Sequence, residues 1–219
     1  MLTIACVLKS GGDYDWEYVN RLYQGVKNNL TYDYTFLILT DMFEVNSPVP
    51  ERAEVWDLES DLEGYWSKLE LFRFEGEVLY FDLDTIILSD LNPLIEGIRT
   101  VSSFNPEGDS FFMLEAFNHK RKWASGIMAW IGDFGFLYDN KEDKNRIPRY
   151  GIWEQDYIVD NLIFSSRKIN SINDCHGGNI RSYKHHCLKG IPLKTDIICF
   201  HGKPRPRDVN WLEKEGVSL

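Results

Sequence analysis

Two carboxylates, Asp82 and Asp84, stand one residue apart directly after the apolar run 78–81 and just before Thr85. On a continuing strand, alternate side chains share a face; on a turn the two can converge on one ion. A hard divalent cation takes carboxylate and phosphate oxygens, so such a pair suits Mn²⁺ or Mg²⁺ and can bridge the chain to a nucleotide diphosphate. His201 ends a second apolar run, 197–200, and is followed by Lys203, Arg205 and Arg207. An imidazole beside two carboxylates favours Mn²⁺ over Mg²⁺, and the neighbouring cations can hold phosphate oxygens. The plainer reading of both segments is a solvated strand end.

The surrounding pattern must place these residues together. Leu2–Leu8 is apolar and rich in β-branched residues, and it runs into Lys9-Ser10-Gly11-Gly12, which predicts a buried strand and a glycine loop. After Asp13 and Asp15, Val19, Leu22, Tyr23 and Val26 fall at helical spacing. Residues 36–40 predict a second strand ending at Asp41, 55–58 a third, and 78–81 a fourth. Trp66, Leu69, Phe72 and Arg73 predict a short helix. This alternation predicts an α/β fold with a mostly parallel sheet covered by helices on both faces. Ligands of such sheets bind beyond the carboxyl ends of the strands, which puts Lys9, Ser10, Asp41 and the Asp82-Leu83-Asp84 segment on one rim. Further on, 125–130 and 197–200 read as strands, 139–149 as an exposed loop, and Ile158, Leu162 and Ile163 as one helix face within 155–164.

With 219 residues, 43% hydrophobic and 26% charged, the chain fits a single globular domain, 1–219, without repeats or linkers. Its 7 Trp, 11 Tyr and 13 Phe supply a core and some binding surface. Cysteines at 6, 175, 187 and 199 form no CxxC pair, against a disulfide framework or zinc ribbon. Cys175-His176 and His185-His186-Cys187 match no common zinc spacing. No apolar run approaches the roughly 18 residues of a transmembrane span, and the first residues lack the pattern of a signal peptide, so a cytoplasmic protein is expected. The net charge of −10 is uneven: residues 1–140 hold 10 basic and 24 acidic residues. That acidity disfavours nucleic acid as a partner. The basic remainder can face a small anion, or simply form a solvated face.

Several blocks together resemble the glycogenin-like glycosyltransferases, family 8, of GT-A fold. Trp66-Ser67-Lys68-Leu69-Glu70-Leu71-Phe72 is similar to that family's Ser/Thr-Lys-Leu segment, and the 78–85 stretch to its hydrophobic strand and D-x-D-T. Ala124-Ser125-Gly126-Ile127-Met128, Glu154-Gln155-Asp156 and Phe200-His201-Gly202-Lys203-Pro204 follow in the family's order. Two departures stand out: Gly202 directly follows His201, and Glu154 stands where Asp is usual. The resemblance implies a metal-dependent transferase that moves a hexose from a nucleotide sugar, a UDP-hexose, with retention, to a glycan, lipid, protein or small-molecule acceptor. It also implies a GT-A-type single domain with a mixed, mostly parallel sheet flanked by helices, in which residues 1–104 would form a Rossmann-like half that binds the nucleotide sugar and 105–219 the acceptor and catalytic half. Asp82, Asp84 and His201 would hold Mn²⁺ (or Mg²⁺). Lys68 and Lys203 would neutralise phosphate charge, and Lys68, on its short helix, is expected to tolerate replacement by Ala with little change in melting temperature. Gln155 and Asp156, with Glu154 beside them, would serve the oxocarbenium-like anomeric carbon. Lys9, Ser10, Tyr14, Asp41, Leu83, Ser125 and Gly126 would complete the donor site. Tyr14 would stack on uracil or pack on the surface, and Asp41 would bind base or ribose or cap the next element. Ser182-Tyr183-Lys184 would line the sugar site or end a strand.

Two readings compete. A haloacid-dehalogenase-type phosphatase also begins with a strand and D-x-D, its first Asp a nucleophile, but near the chain start and followed by Gly-Thr. A non-catalytic sugar-nucleotide-binding protein would share the fold without the activity.

Overall fold

The computed structural model describes residues 1–117, 122–140 and 153–209. A seven-stranded sheet runs through it. In chain order the strands are β1 (Leu2–Leu8), β2 (Tyr34–Thr40), β3 (Ala53–Asp57), β4 (Gly76–Phe81), β6 (Ser110–Glu115), β7 (Trp123–Gly132) and β8 (Ile169–Ser171). Their spatial order is β3-β2-β1-β4-β7-β6-β8. Strands β3, β2, β1 and β4 are mutually parallel, and β6 is parallel to β8; β7 runs antiparallel to both β4 and β6. The sheet is therefore mostly parallel, as the strand–helix alternation predicts, and mixed through β7, as the family resemblance implies. A second, three-stranded sheet joins β5 (Thr85–Ile87), β10 (Ile197–Cys199) and β9 (Ile180–Ser182) in the order β5-β10-β9.

Strand alternation divides the core. Leu2, Ile4, Cys6 and Leu8 of β1 face one side, against helix α1 (Trp16–Asn29) and helix α2 (Asn92–Ser103) through Val19, Leu22, Val26, Leu94, Ile95 and Ile98. Ala5 and Val7 face the other, with Leu69, Leu71 and Phe72 of the 3₁₀ segment Gly64–Arg73 and Ile158 and Leu162 of helix α4 (Glu154–Phe164). The near-continuous apolar runs of β1 and β4 follow from this burial on both faces. Helix α1 starts where the Asp15 carboxylate accepts the Glu17 amide at 3.0 Å, an N-cap. Short helices α3 (Phe136–Asp139), α5 (Ile172–Cys175) and α6 (Tyr183–His186) fill the connections. Gly97 of α2 is a close-approach glycine: a Cβ there would lie 2.3 Å from the Cys175 carbonyl oxygen.

Several expectations shift. The third strand is 53–57 rather than 55–58, the 125–130 strand extends to Trp123–Gly132, and the helix around Trp66 is a 3₁₀ helix of ten residues. Strands β6 and β8 and helix α2 have no counterpart in the sequence reading, and of β9 only its end at Ser182 does. Most of the expected 139–149 loop lies outside the described residues. Among the described residues no helix is long and apolar enough to cross a membrane.

Candidate functional site

The Asp82-Leu83-Asp84 segment is where the chain passes from the large sheet to the small one. β4 ends at Phe81 and β5 begins at Thr85, and the Thr85 amide donates to the Asp82 carbonyl at 3.0 Å, closing a turn. Because the chain turns, the two carboxylates do not share their partners. Asp82 continues the side of β4 that carries Tyr80, whose hydroxyl donates to Asp82 Oδ1 at 2.5 Å. Lys68 Nζ approaches the same oxygen at 2.8 Å. Asp84 is held by a different pair of side chains. Its Oδ2 accepts from the Tyr14 hydroxyl at 2.6 Å and from Arg205 Nη1 at 2.8 Å.

The Ser125-Gly126 segment reaches this turn through an irregularity in β7. Met113 pairs with Met128 but Leu114 pairs with Ala124, so 125–127 have no partners on β6. A bulge of this kind re-aims side chains. The Gly126 carbonyl accepts the Asp82 amide at 2.9 Å, and the Ser125 hydroxyl donates to Glu154 at 2.5 Å. Lys68 Nζ lies 3.1 Å from the same Glu154 oxygen and 3.2 Å from Ser125 Oγ. Lys68 is only 7% exposed. Burial works against its charge, but Asp82 and Glu154 outweigh burial and hold its pKa above the ordinary range. It is thus an internal cation binding two carboxylates, a structural role that the expectation of an unchanged melting temperature on replacement did not include.

Burial first, and then the charge of Asp82, push Asp84 up to about 7, against the opposing pull of the Tyr14 hydroxyl and Arg205. The Tyr14 hydroxyl is itself driven upward by burial and by Asp84, so it remains a neutral donor. Asp84 Oδ1 is buried without a hydrogen-bond partner.

Two adjoining cavities meet here, each of a size typical for small-molecule sites, roughly 300–1,000 Å³. One, of about 620 Å³, is bounded by Lys9, Ser10, the Gly11-Gly12 loop and Leu83. The other, of about 320 Å³, is bounded by Asp84, Ser125, Gly126, Glu154, Gln155 and His201. Tyr14, Tyr65, Lys68, Asp82 and Arg205 form the wall common to both. Tyr65 stacks on Trp153, ring centroids 5.8 Å apart, at the margin of the smaller cavity, which Trp123 also lines.

The remaining sequence-predicted residues fall as follows. Asp41 is not in the lining of either cavity; it accepts Lys9 Nζ, the Ser10 amide and the Ser10 hydroxyl, each at 2.7 Å, and so fixes the loop that does line one. Asp156, on the first turn of α4, lines neither cavity, whereas its neighbours Glu154 and Gln155 do. Lys203 is 66% exposed, 3.5 Å from Asp13. His201 shares the smaller cavity with both Asp residues, but its Nε2 is 2.7 Å from Ser182 Oγ, and the rings of Phe117 and His185 flank it. Burial first, then Lys184 and His185, lower its pKa, which favours the neutral imidazole. Ser182 thus ends β9 as a partner of His201. Among the described residues, no three His, Cys, Asp or Glu side chains gather closely enough to hold a metal. The oxygen donors at hand are the two carboxylates, one with a buried, unpartnered oxygen. Such a set fits a hard divalent cation whose other positions are filled by a ligand's oxygens. The sequence reading named Arg205 only as one cation of a basic segment, and it missed the exposed Tyr65 and Trp153 and the partly buried Trp123, aromatics without a periodic signal.

Asp41 offers a test of the loop geometry. Burial would raise its pKa, but the hydrogen bonds from Lys9 and Ser10 prevail and lower it to about 2. The stabilisation is therefore complete above the unfolded carboxylate value, about 3.9, and is lost as pH falls through about 2. The melting-temperature gap between the unmodified protein and Asp41→Asn is expected to hold steady from pH 7 to about 4 and to close below it. A gap that does not narrow in acid would show that the Asp41 bonds do not persist in solution.

No protein-family profile and no curated sequence matches the chain. Solved structures do resemble it. The glycosyltransferase GlyE of Streptococcus pneumoniae TIGR4 superposes with a TM-score of 0.59 at 14% identity, over 93% of this chain and 55% of GlyE. An active-site mutant of LgtC gives 0.54 at 10% identity, over 93% of this chain and 89% of LgtC. LgtC, a galactosyltransferase, was also solved with donor and acceptor sugar analogues, and that structure gives 0.50 at 10% identity. The chain thus spans about half the length of GlyE and most of LgtC. Its architecture is that of the GT-A glycosyltransferases.

Proposed function

We propose that this chain is a glycosyltransferase that moves a hexose from a nucleotide sugar, a UDP-hexose, to an acceptor, with Mn²⁺ or Mg²⁺ held by Asp82 and Asp84. The observation that carries the reading is the shared wall: two cavities at the carboxyl ends of β1 and β4 meet at Asp82, with Lys68, Tyr14 and Arg205 around it. A nucleotide sugar has the matching shape, two bulky ends joined by a diphosphate. The nucleoside lies on the Lys9–Gly12 side, supplied by residues 1–104. The sugar lies on the Ser125, Gly126 and Gln155 side, supplied by 105–219.

A divalent cation bound there would neutralise the charge that develops on the departing diphosphate. The chain's own contribution is positional. Lys68 fixes Asp82 against Glu154, the β7 bulge brings Gly126 beneath Asp82, and Gln155 presents an amide to the sugar cavity. Gln155 is the catalytic side chain of this reading. LgtC, which shares the fold, has a structure in which an active-site glutamine is replaced by glutamate, which supports placing a glutamine there. His201, neutral and in the same cavity, is the proposed third metal ligand once it leaves Ser182. The family resemblance supports retention of anomeric configuration.

The test is release of UDP from UDP-hexoses by the purified chain, with and without Mn²⁺. Release that depends on metal and falls in Gln155→Ala supports the reading. A chain that neither binds nor cleaves any nucleotide sugar in the presence of Mn²⁺ removes it.

A further inference from the structure

Arg205 is 8% exposed, and its polar side-chain contacts are oxygens. Nη1 donates to Asp84 Oδ2 at 2.8 Å and to the Tyr14 hydroxyl. Nε and Nη2 reach Asp13 Oδ2 at 3.3 and 3.2 Å. Its backbone amide is held by Asp208 Oδ2 at 2.8 Å. The guanidinium therefore stands against one oxygen of Asp84 while the other, Oδ1, has no partner. The two holds on it are unequal. Asp84 is buried, whereas the Asp13 side chain is 44% exposed, on a loop that begins Gly11-Gly12. An exposed ion pair is weak and exchangeable. Arg205 also borders both cavities, so a diphosphate crossing from one to the other would pass within reach of its fork, for which phosphate oxygens are well-matched acceptors.

Charge completes the argument. Within this cleft Lys68 is shared by Asp82 and Glu154, and Arg205 by Asp84 and Asp13. A doubly charged cation entering alone would have to approach Asp82 and Asp84 beside the two cations that already hold them. Arriving with a diphosphate, it brings anionic oxygens to which the guanidinium can turn.

We propose that Arg205 is a positioning residue that stands in for a divalent cation at Asp84 while the cleft is empty and turns to the donor's diphosphate when a cation takes Asp84. The proposal rests on the reading of Asp82 and Asp84 as the cation pair. It makes metal and nucleotide bind as a pair rather than singly.

The experiment measures Mn²⁺ binding to the full chain by electron paramagnetic resonance without nucleotide, and UDP and uridine binding by calorimetry at saturating Mn²⁺. Arg205→Met is expected to bind Mn²⁺ alone about 10-fold more tightly than the unmodified protein, and UDP about 10-fold more weakly, with uridine unchanged. If Arg205→Met does not fold, Arg205→Lys serves, because lysine keeps a charge but cannot span Asp13, Tyr14 and Asp84 together; a gain of about 3-fold in Mn²⁺ affinity is then expected. Equal Mn²⁺ affinity with and without the substitution overturns the role of Arg205 and leaves the cation pair standing. Absence of Mn²⁺ binding in both proteins, even with UDP, overturns the cation pair and the proposal with it.

Discussion

Lys68→Met is expected to cost about 3–5 kcal/mol of stability, because it strands the buried Glu154 carboxylate and the partly buried Asp82 at once. Lys68 lies 2.8 Å from Asp82 and 3.1 Å from Glu154, and Glu154 is 2% exposed. At roughly 2–4 °C per kcal/mol for a chain of this size, the melting temperature should fall by about 6–20 °C. Adding Glu154→Gln to Lys68→Met should recover part of the loss, since it removes one of the uncompensated charges. Calorimetry of the two variants decides. A melting point within about 2 °C of the unmodified protein would leave Lys68 as a phosphate-neutralising residue without a structural role. Donor binding cannot separate these readings, because both predict that it weakens.

Asp84→Asn carries the largest expected effect on turnover. If Asp82 and Asp84 share a cation, the substitution removes one of its two protein oxygens with full charge, and metal-dependent release of UDP should fall about 1,000-fold. The fold should survive. Burial already disfavours the ionised form of Asp84, an amide keeps an acceptor oxygen for Tyr14 and Arg205, and Arg205 retains Asp13. Circular dichroism should therefore be unchanged while Mn²⁺ binding in the presence of UDP is lost. Full activity in Asp84→Asn would remove the metal assignment outright.

The sequence carries the sheet well where strands are buried on both faces. The runs of β1, β2 and β4 are long and apolar, and each ends in residues that line or brace the cleft. It carries β6, β8 and β9 poorly. Ile180–Ser182 and Ile169–Ser171 are three residues each, too short for a period to register, and are defined by their pairing with β10 and β6. At the site, Asp82, Asp84, Ser125, Gly126, Glu154, Gln155 and His201 were legible as blocks, and the fold brings them to one cavity. What spacing could not reveal was which cation each carboxylate holds. That depends on a turn after Asp82 and a bulge at 125–127, both local departures from the regular strands that make the sequence readable. The acidic first part and basic last part of the chain find their meaning the same way. Lys203 and Arg205 meet Asp13, and Arg207 meets Asp15 at 3.6 Å.

That meeting joins residues 192 positions apart in the chain. On the ribosome, the first strand, its glycine loop and helix α1 emerge early, while the side chain that neutralises Asp84 is delivered only when residue 205 has left the exit tunnel. Contacts of such separation form late and carry a large loop-closure cost. The order of synthesis thus leaves the sheet able to assemble around an incomplete site. The nascent chain has no finished cleft to offer, and the nucleotide sugar of the proposed function would meet the full set of cations only when β10 has paired with β5 and carried the basic segment across.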